Sequence, residues 1–162
     1  MIHLRQATID DISFLKKWDE DVDVWTSGGE DDSFDWETEV PRKVEWRELL
    51  VAELNGRPIG FIQIIDAAEE ESHYWGDVNA GAMAIDIWSG AGADRNRGFG
   101  SQVMELVAER CFARSSATAI LVDPLESNDR ACRFYERLGF KYVETRLFGN
   151  DTCRVYRLSR PQ

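Results

Sequence analysis

The chain predicts a mixed α/β fold: one mostly antiparallel sheet with a parallel strand pair inside it, flanked by helices. Three features of the 162 residues carry this expectation. Two apolar stretches surround Asn55-Gly56, the strongest short hairpin signal a sequence offers. Two further apolar strands, at 81–88 and 117–123, are separated by a helical pattern, so they should run parallel with a right-handed crossover. A second hairpin closes the chain.

Taken in order, "IHLRQA" at 2–7 reads as a strand, and "TIDDISFLKKW" follows as a helix. Thr8 opens that helix with Asp11 three residues later, a capping-box pattern. Residues 19–46 fit no periodic template. They are acidic, yet they hold Trp25, Phe34, Trp36 and Trp46, so they should fold back onto the body. "ELLVAEL" and "RPIGFIQIID" are the strands of the Asn-Gly hairpin, followed by an acidic loop containing Tyr74 and Trp75. "GAMAIDIW" is a buried strand. After a glycine-rich loop, Val103, Val107 and Cys111 with Leu106 mark the apolar face of a helix. "ATAILVD" is a strand stopped by Asp123-Pro124. "SNDRACRFYERLGF" is a helix capped by Ser127 or Asn128 and ended by Gly139. "FKYVETRLF", a "GND" turn and "TCRVYRLS" form the closing hairpin. One domain over 1–162 is the expectation, without repeats or linkers.

Composition excludes several classes. No run approaches 18 uninterrupted apolar residues and the N-terminus lacks a signal-peptide core, so a soluble, cytoplasmic protein is expected. Cys111, Cys132 and Cys153 form no C-x-x-C pair and read as reduced packing residues. His3 and His73 have no ligand-like spacing, and no metal is expected. The net charge of −11, from 19 basic and 30 acidic residues, argues against nucleic acid and anionic membranes as partners. Cations remain. Residues 19–39 carry ten acids and no Lys or Arg, and 66–77 add five more acids. Either these runs form a solvated surface or they rim a site that collects a polycation.

The stretch "DRNRGFGSQVMEL" at 94–106 places Arg95-x-x-Gly98-x-Gly100 between a buried strand and a helix. A glycine-rich helix entry exposes backbone N–H groups at the positive end of the helix dipole, which suits a phosphate. It can equally be a plain turn. A third glycine is missing for a dinucleotide fingerprint, and no Gly-Lys-Ser/Thr follows for an NTPase loop. The later segment "DPLESNDRACRFYERLGF" supplies Asn128, Ala131, Tyr135, Gly139 and Phe140 at the spacing Asn-x-x-Ala-x-x-x-Tyr-x-x-x-Gly-Phe.

Together these two segments resemble the GNAT superfamily of acetyl-CoA-dependent N-acetyltransferases, and the element order resembles that fold over nearly the whole chain. The resemblance implies acetyl-CoA as cofactor. Its pyrophosphate would be held by backbone N–H groups of Arg97, Gly98, Phe99, Gly100 and Ser101, with charge from Arg95 and Arg97 and with Asn96 in the same loop. The pantetheine arm would pair with the strand ending Ile87-Trp88, where the parallel strands splay, and Asn128, Ala131 and Phe134 would lie on the cofactor side of the later helix. Tyr135 would protonate the departing thiolate; its plain alternative is a core aromatic.

The reaction so implied is direct attack by a neutral amine on the thioester in a ternary complex, which requires carboxylates to hold the ammonium and a route for its proton. Asp86 interrupts the apolar strand "AMAIDIW", where a carboxylate is costly unless it faces a cleft or partner. Asp123 ends the neighbouring strand, at the carboxyl edge where open α/β sheets place ligands. Their plain alternatives are an exposed strand position and a turn residue before Pro124. Within the superfamily these segments look like those of aminoglycoside 6'-N-acetyltransferases, with Ala84 in place of a glycine, which puts Asp86, Asp123, Glu126 and Trp75 on the side of a cationic small-molecule amine. Polyamines, siderophore-type amines and protein N-termini or lysines stay open as acceptors, as does a non-catalytic CoA-binding regulatory module. A monomer or a homodimer fits equally.

Overall fold

The computed structural model describes residues 1–20, 34–89 and 98–162. Trp25 and the predicted loop residues Arg95, Asn96 and Arg97 lie outside them. The described elements run β1 (Ile2–Gln6), α1 (Ile12–Glu20), α2 (Trp36–Glu39), β2 (Arg47–Leu54), β3 (Arg57–Asp66), β4 (Ala82–Ser89), α3 (Phe99–Phe112), β5 (Ala119–Val122), α4 (Asp129–Arg137), β6 (Lys141–Phe148) and β7 (Asp151–Ser159). The strands form one seven-stranded sheet in the order β1-β2-β3-β4-β5-β7-β6. β4 and β5 pair parallel, and every other neighbouring pair is antiparallel. This is the mixed, mostly antiparallel sheet the sequence predicts.

Local chemistry explains the elements. Asn55 and Gly56 both take positive φ, 51° and 84°, as a two-residue type I′ hairpin turn demands. Pro58 is tolerated in an interior strand because the β2–β3 register shifts beside it, between Ala52 and Glu53. A 3₁₀ turn at Ile9–Asp11 precedes α1. There Asp11 accepts the Thr8 N–H at 2.7 Å, the reach-back bond of the expected box. The Asn128 side chain caps α4 by accepting the Ala131 N–H at 3.1 Å.

Period-two alternation splits the sheet's residues between two faces. On one face, Leu50, Ile62, Ile64, Ile85, Ile87 and Ile120 pack with Val103, Met104 and Val107 of α3 and with Ala131, Cys132 and Tyr135 of α4. The opposite face holds two separate apolar clusters. One gathers Leu15, Trp36, Val40, Val51, Phe61 and Trp88 beneath α1 and α2. The other gathers Trp75, Ala82, Ala84, Phe148, Cys153 and Val155. Phe34 packs on the first of these and the Trp36 indole donates to Asp19 Oδ2 at 2.6 Å, so the described part of 19–46 does fold back. Cys111, Cys132 and Cys153 are buried, in two helices and a strand. No described helix is long and apolar enough to cross a membrane.

Candidate active site

The parallel ladder is short. Ala82, Met83 and Ala84 pair with Ala119, Ile120 and Leu121, and then the pairing stops although β4 continues to Ser89. Among the described residues no ladder pair joins 85–89 to β5, so that edge of β4 can accept an extended ligand as an added strand. Between the two apolar clusters on the α1/α2 face lies a pocket of about 200 Å³, walled by Trp46, Tyr74 and Trp75 with Gln63, Asp86, Glu70 and Ser72 among its polar groups.

Asp86 reaches the pocket because it alternates with Ile85 and Ile87, which are buried under the other face. Directly across β3, Gln63 donates from Nε2 to Asp86 Oδ2 at 2.9 Å. Asp123, just past β5, accepts the Tyr74 hydroxyl at 2.8 Å. Tyr74 thereby ties Asp123 to the wall of the pocket that holds Asp86. Its ring stacks on Phe148 at 4.5 Å and meets Trp75 edge-on. Trp75 is buried, and Arg146 Nη1 donates to its carbonyl at 3.1 Å.

Glu70 shapes the loop that carries these aromatics. Its carboxylate accepts the Ser72 N–H, the Ser72 hydroxyl at 2.5 Å and the Tyr74 N–H at 3.0 Å. Burial pushes this acid up, but the Ser72 hydroxyl, the two backbone donors and His73 outweigh it and hold the group below its ordinary value. An ionised Glu70 beside Asp86 gives the pocket the sign that attracts a cation.

The opening of α3 supplies the other half. Gly98 is its N-cap at φ 77°, and a Cβ there would meet nothing within 4 Å. The need for glycine is therefore conformational. At Gly100 the reason differs, since a Cβ would come within 3.3 Å of the Phe134 ring. Phe99 packs partly against the core and Ser101 is exposed.

The matched segment extends well beyond these motifs. The acetyltransferase (GNAT) domain family matches residues 8–148. The chain belongs to the GNAT acetyltransferase family. It is 33% identical over 92 residues to the aminoglycoside N(6')-acetyltransferases type 1 of Klebsiella pneumoniae and Serratia marcescens, a match covering 56% of this chain and 46% of those proteins. The match thus spans about half the length of these relatives. Among solved structures, aminoglycoside acetyltransferase AAC(6')-Ib in complex with coenzyme A and kanamycin superposes with a TM-score of 0.83 at 26% identity, over 99% of this chain and 95% of that one. YncA from Salmonella typhimurium, solved with its cofactor acetyl-CoA, shares the fold, with a TM-score of 0.70 at 15% identity over 100% of this chain and 95% of that one.

Of the residues singled out by the GNAT resemblance, Asp86 and Trp75 line the pocket and Asp123 is linked to it through Tyr74. Glu126 is exposed, with its N–H on the Thr152 carbonyl at 2.9 Å. Ile87 is in the core, and the Trp88 ring packs edge-on against Trp36 and Phe61, so both present backbone at the open edge of β4. Ala131 and Tyr135 are buried, Phe134 is partly so, and Tyr135 meets Phe134 and Phe140 edge-on.

Trp46, Gln63, Glu70, Ser72 and Tyr74 were not legible as site residues. Gln63 had a usable signal, because it interrupts "GFIQII" as Asp86 interrupts "AMAIDIW". Glu70 had none that separated it from the acids around it.

Proposed function

We propose that this chain transfers an acetyl group from acetyl-CoA to a primary amine of a polycationic small molecule, the 6'-amino group of an aminoglycoside, in a ternary complex. The observation that carries this reading is the pocket itself. It is acidic, walled by aromatics and of the size of one sugar ring, and it opens beside the stretch of β4 that continues past its ladder with β5. Family membership and the likeness to an enzyme solved with coenzyme A and kanamycin support it.

The residues fit a thioester carrying a pyrophosphate. Backbone N–H groups from Gly98 to Ser101 open α3, and the part of β4 beyond its ladder with β5 suits an amide-bearing arm. Acetyl-CoA, when bound, supplies the activated acyl group. The chain's own residues do the remaining work. Asp86 and Glu70 attract and hold the ammonium, with Asp123 at the rim. Asp86 or a water beside it takes the proton that frees the amine for attack. The amine nitrogen bonds the acyl carbon as the carbon–sulfur bond breaks, and the Tyr135 hydroxyl gives its proton to the sulfur.

The test is release of free thiol from acetyl-CoA across aminoglycosides, polyamines, siderophore-type amines and short peptides. Aminoglycosides with a free 6'-amine should exceed the other classes in kcat/KM by at least about a hundredfold, about 2.7 kcal/mol of transition-state binding. An analogue bearing a 6'-hydroxyl should release none. Turnover confined to peptides or polyamines would overturn the substrate assignment.

A further inference from the structure

Behind the pocket lies a buried polar relay that the acetyl-transfer chemistry does not itself call for. Gln63 is 7% exposed and occupies the middle of an otherwise apolar strand. Such a side chain is destabilising unless both ends of its amide are satisfied. On one side it faces Asp86; on the other, Arg47 Nη1 lies 3.3 Å from its Oε1. The Arg47 side chain is only 5% exposed, and its charge is met by Glu39, Nη1 to Oε2 at 2.8 Å, with Nη2 on the Glu39 carbonyl at 3.4 Å.

Chemistry settles which way the amide points. A guanidinium has donors and no acceptor, so only Oε1 can face Arg47. A carboxylate has acceptors and no donor, so only Nε2 can face Asp86. Both neighbours demand the same orientation, and rotating the amide by half a turn would break both bonds at once. The relay therefore runs Glu39 to Arg47 to Gln63 to Asp86, from α2 through β2 and β3 to the pocket floor. We infer that Gln63, locked by Arg47 and Glu39, is the positioning residue for Asp86, holding one carboxylate oxygen so that the group meets the substrate ammonium in one ionised geometry.

This inference rests on the proposed role of Asp86 in amine capture, but its first readout does not. The titration of the Asp86 carboxyl carbon, assigned by its loss in Asp86→Asn, can be followed by ¹³C NMR in the protein without substrate. Among the described residues, the charged groups that face Asp86 include Glu70 in the pocket loop, Asp123 beyond β5, and Arg47 with Glu39 behind Gln63. None of these is changed by Gln63→Leu. That variant should raise the Asp86 midpoint by at least about half a pH unit, the direction expected when a donor to the charged form is lost. Arg47→Met should raise it as well, because the amide is then no longer held. Arg47→Lys, which keeps the charge, should restore most of the shift.

In turnover with the preferred amine, Gln63→Leu should raise the amine KM about tenfold and change the acetyl-CoA KM less than about twofold. A folded Gln63→Leu protein whose Asp86 midpoint is unmoved would overturn the inference and leave the acetyltransferase assignment intact. If the midpoint shifts in a protein that acetylates no amine, the relay stands and the function proposal falls. Should Arg47→Met fail to fold, the Gln63→Leu titration alone decides.

Discussion

Tyr135 exposes no surface, and its ring sits edge-on between Phe134 and Phe140 in the core beneath the α3/α4 face. A phenol so enclosed packs the core, and in the proposed reaction its hydroxyl also serves as general acid. Tyr135→Phe separates the two roles because it removes the hydroxyl and keeps the ring. Turnover should fall at least about tenfold with the acetyl-CoA KM little changed. A drop in melting temperature with kcat unchanged would assign Tyr135 to packing alone. The cysteines at this scale are inert by comparison: burial pushes the Cys111 thiol up to about 12 and raises Cys132 as well, so neither is a thiolate near neutrality.

At the scale of elements, what could be read from the sequence was what local rules dictate. The Asn55-Gly56 hairpin, the Asn128 cap and the apolar face of α3 each follow from a few neighbouring residues. Asp86 could be read because an acid in an apolar strand demands an explanation. The loop over 66–77 could not, since no periodicity organises it. Its path is set by the Glu70 carboxylate, bonded to Ser72 and Tyr74, by the Ala68 N–H on Asp66 Oδ1 at 3.2 Å, and by positive φ at His73 and Gly76, 54° and 67°. Five acids in twelve residues give no hint which one turns inward. The relay through Arg47 was hidden for the same reason, because Glu39 and Gln63 are 24 residues apart in sequence and meet only through the guanidinium.

Glu70 makes the pH behaviour of that loop testable. Its folded-state pKa is depressed, so the stability it contributes is fully present above the unfolded value of about 4.3 and is lost as pH falls through the lower folded value. Glu70→Gln should lower the melting temperature by about 2–4 °C at pH 7, the shift expected for a loss near 1 kcal/mol in a chain of this size. The difference from the parent protein should shrink below about pH 4. A constant difference down to pH 3 would mean that the carboxylate charge does not hold the loop.

For the molecule as a whole, the sheet's two faces divide the labour. The α3/α4 face is one continuous apolar core. The other face is interrupted, and the interruption is the pocket. Away from the site, ion pairs clasp the edges: Arg5 holds Asp11 through two bonds of 2.9 and 2.7 Å, and Arg110 and Arg114 converge on Glu48. Burial pushes Asp11 and Glu48 up, and their arginine partners, joined by the Thr8 N–H at Asp11, more than reverse it, so both are held below the ordinary carboxylate range. An overall charge of −11 with its inward-facing acids at the pocket fits capture of a cation from solution.

In the proposed reaction the acyl donor enters along β4 beyond its ladder with β5 while the acceptor amine sits over Asp86. A crystal structure of the chain with coenzyme A and an aminoglycoside tests it most directly. The pyrophosphate should lie against the backbone N–H groups at 98–101, with an amino group within hydrogen-bond distance of Asp86 and facing the coenzyme's sulfur. Coenzyme A on another surface, or the sugar outside the pocket walled by Trp46, Tyr74 and Trp75, would contradict it.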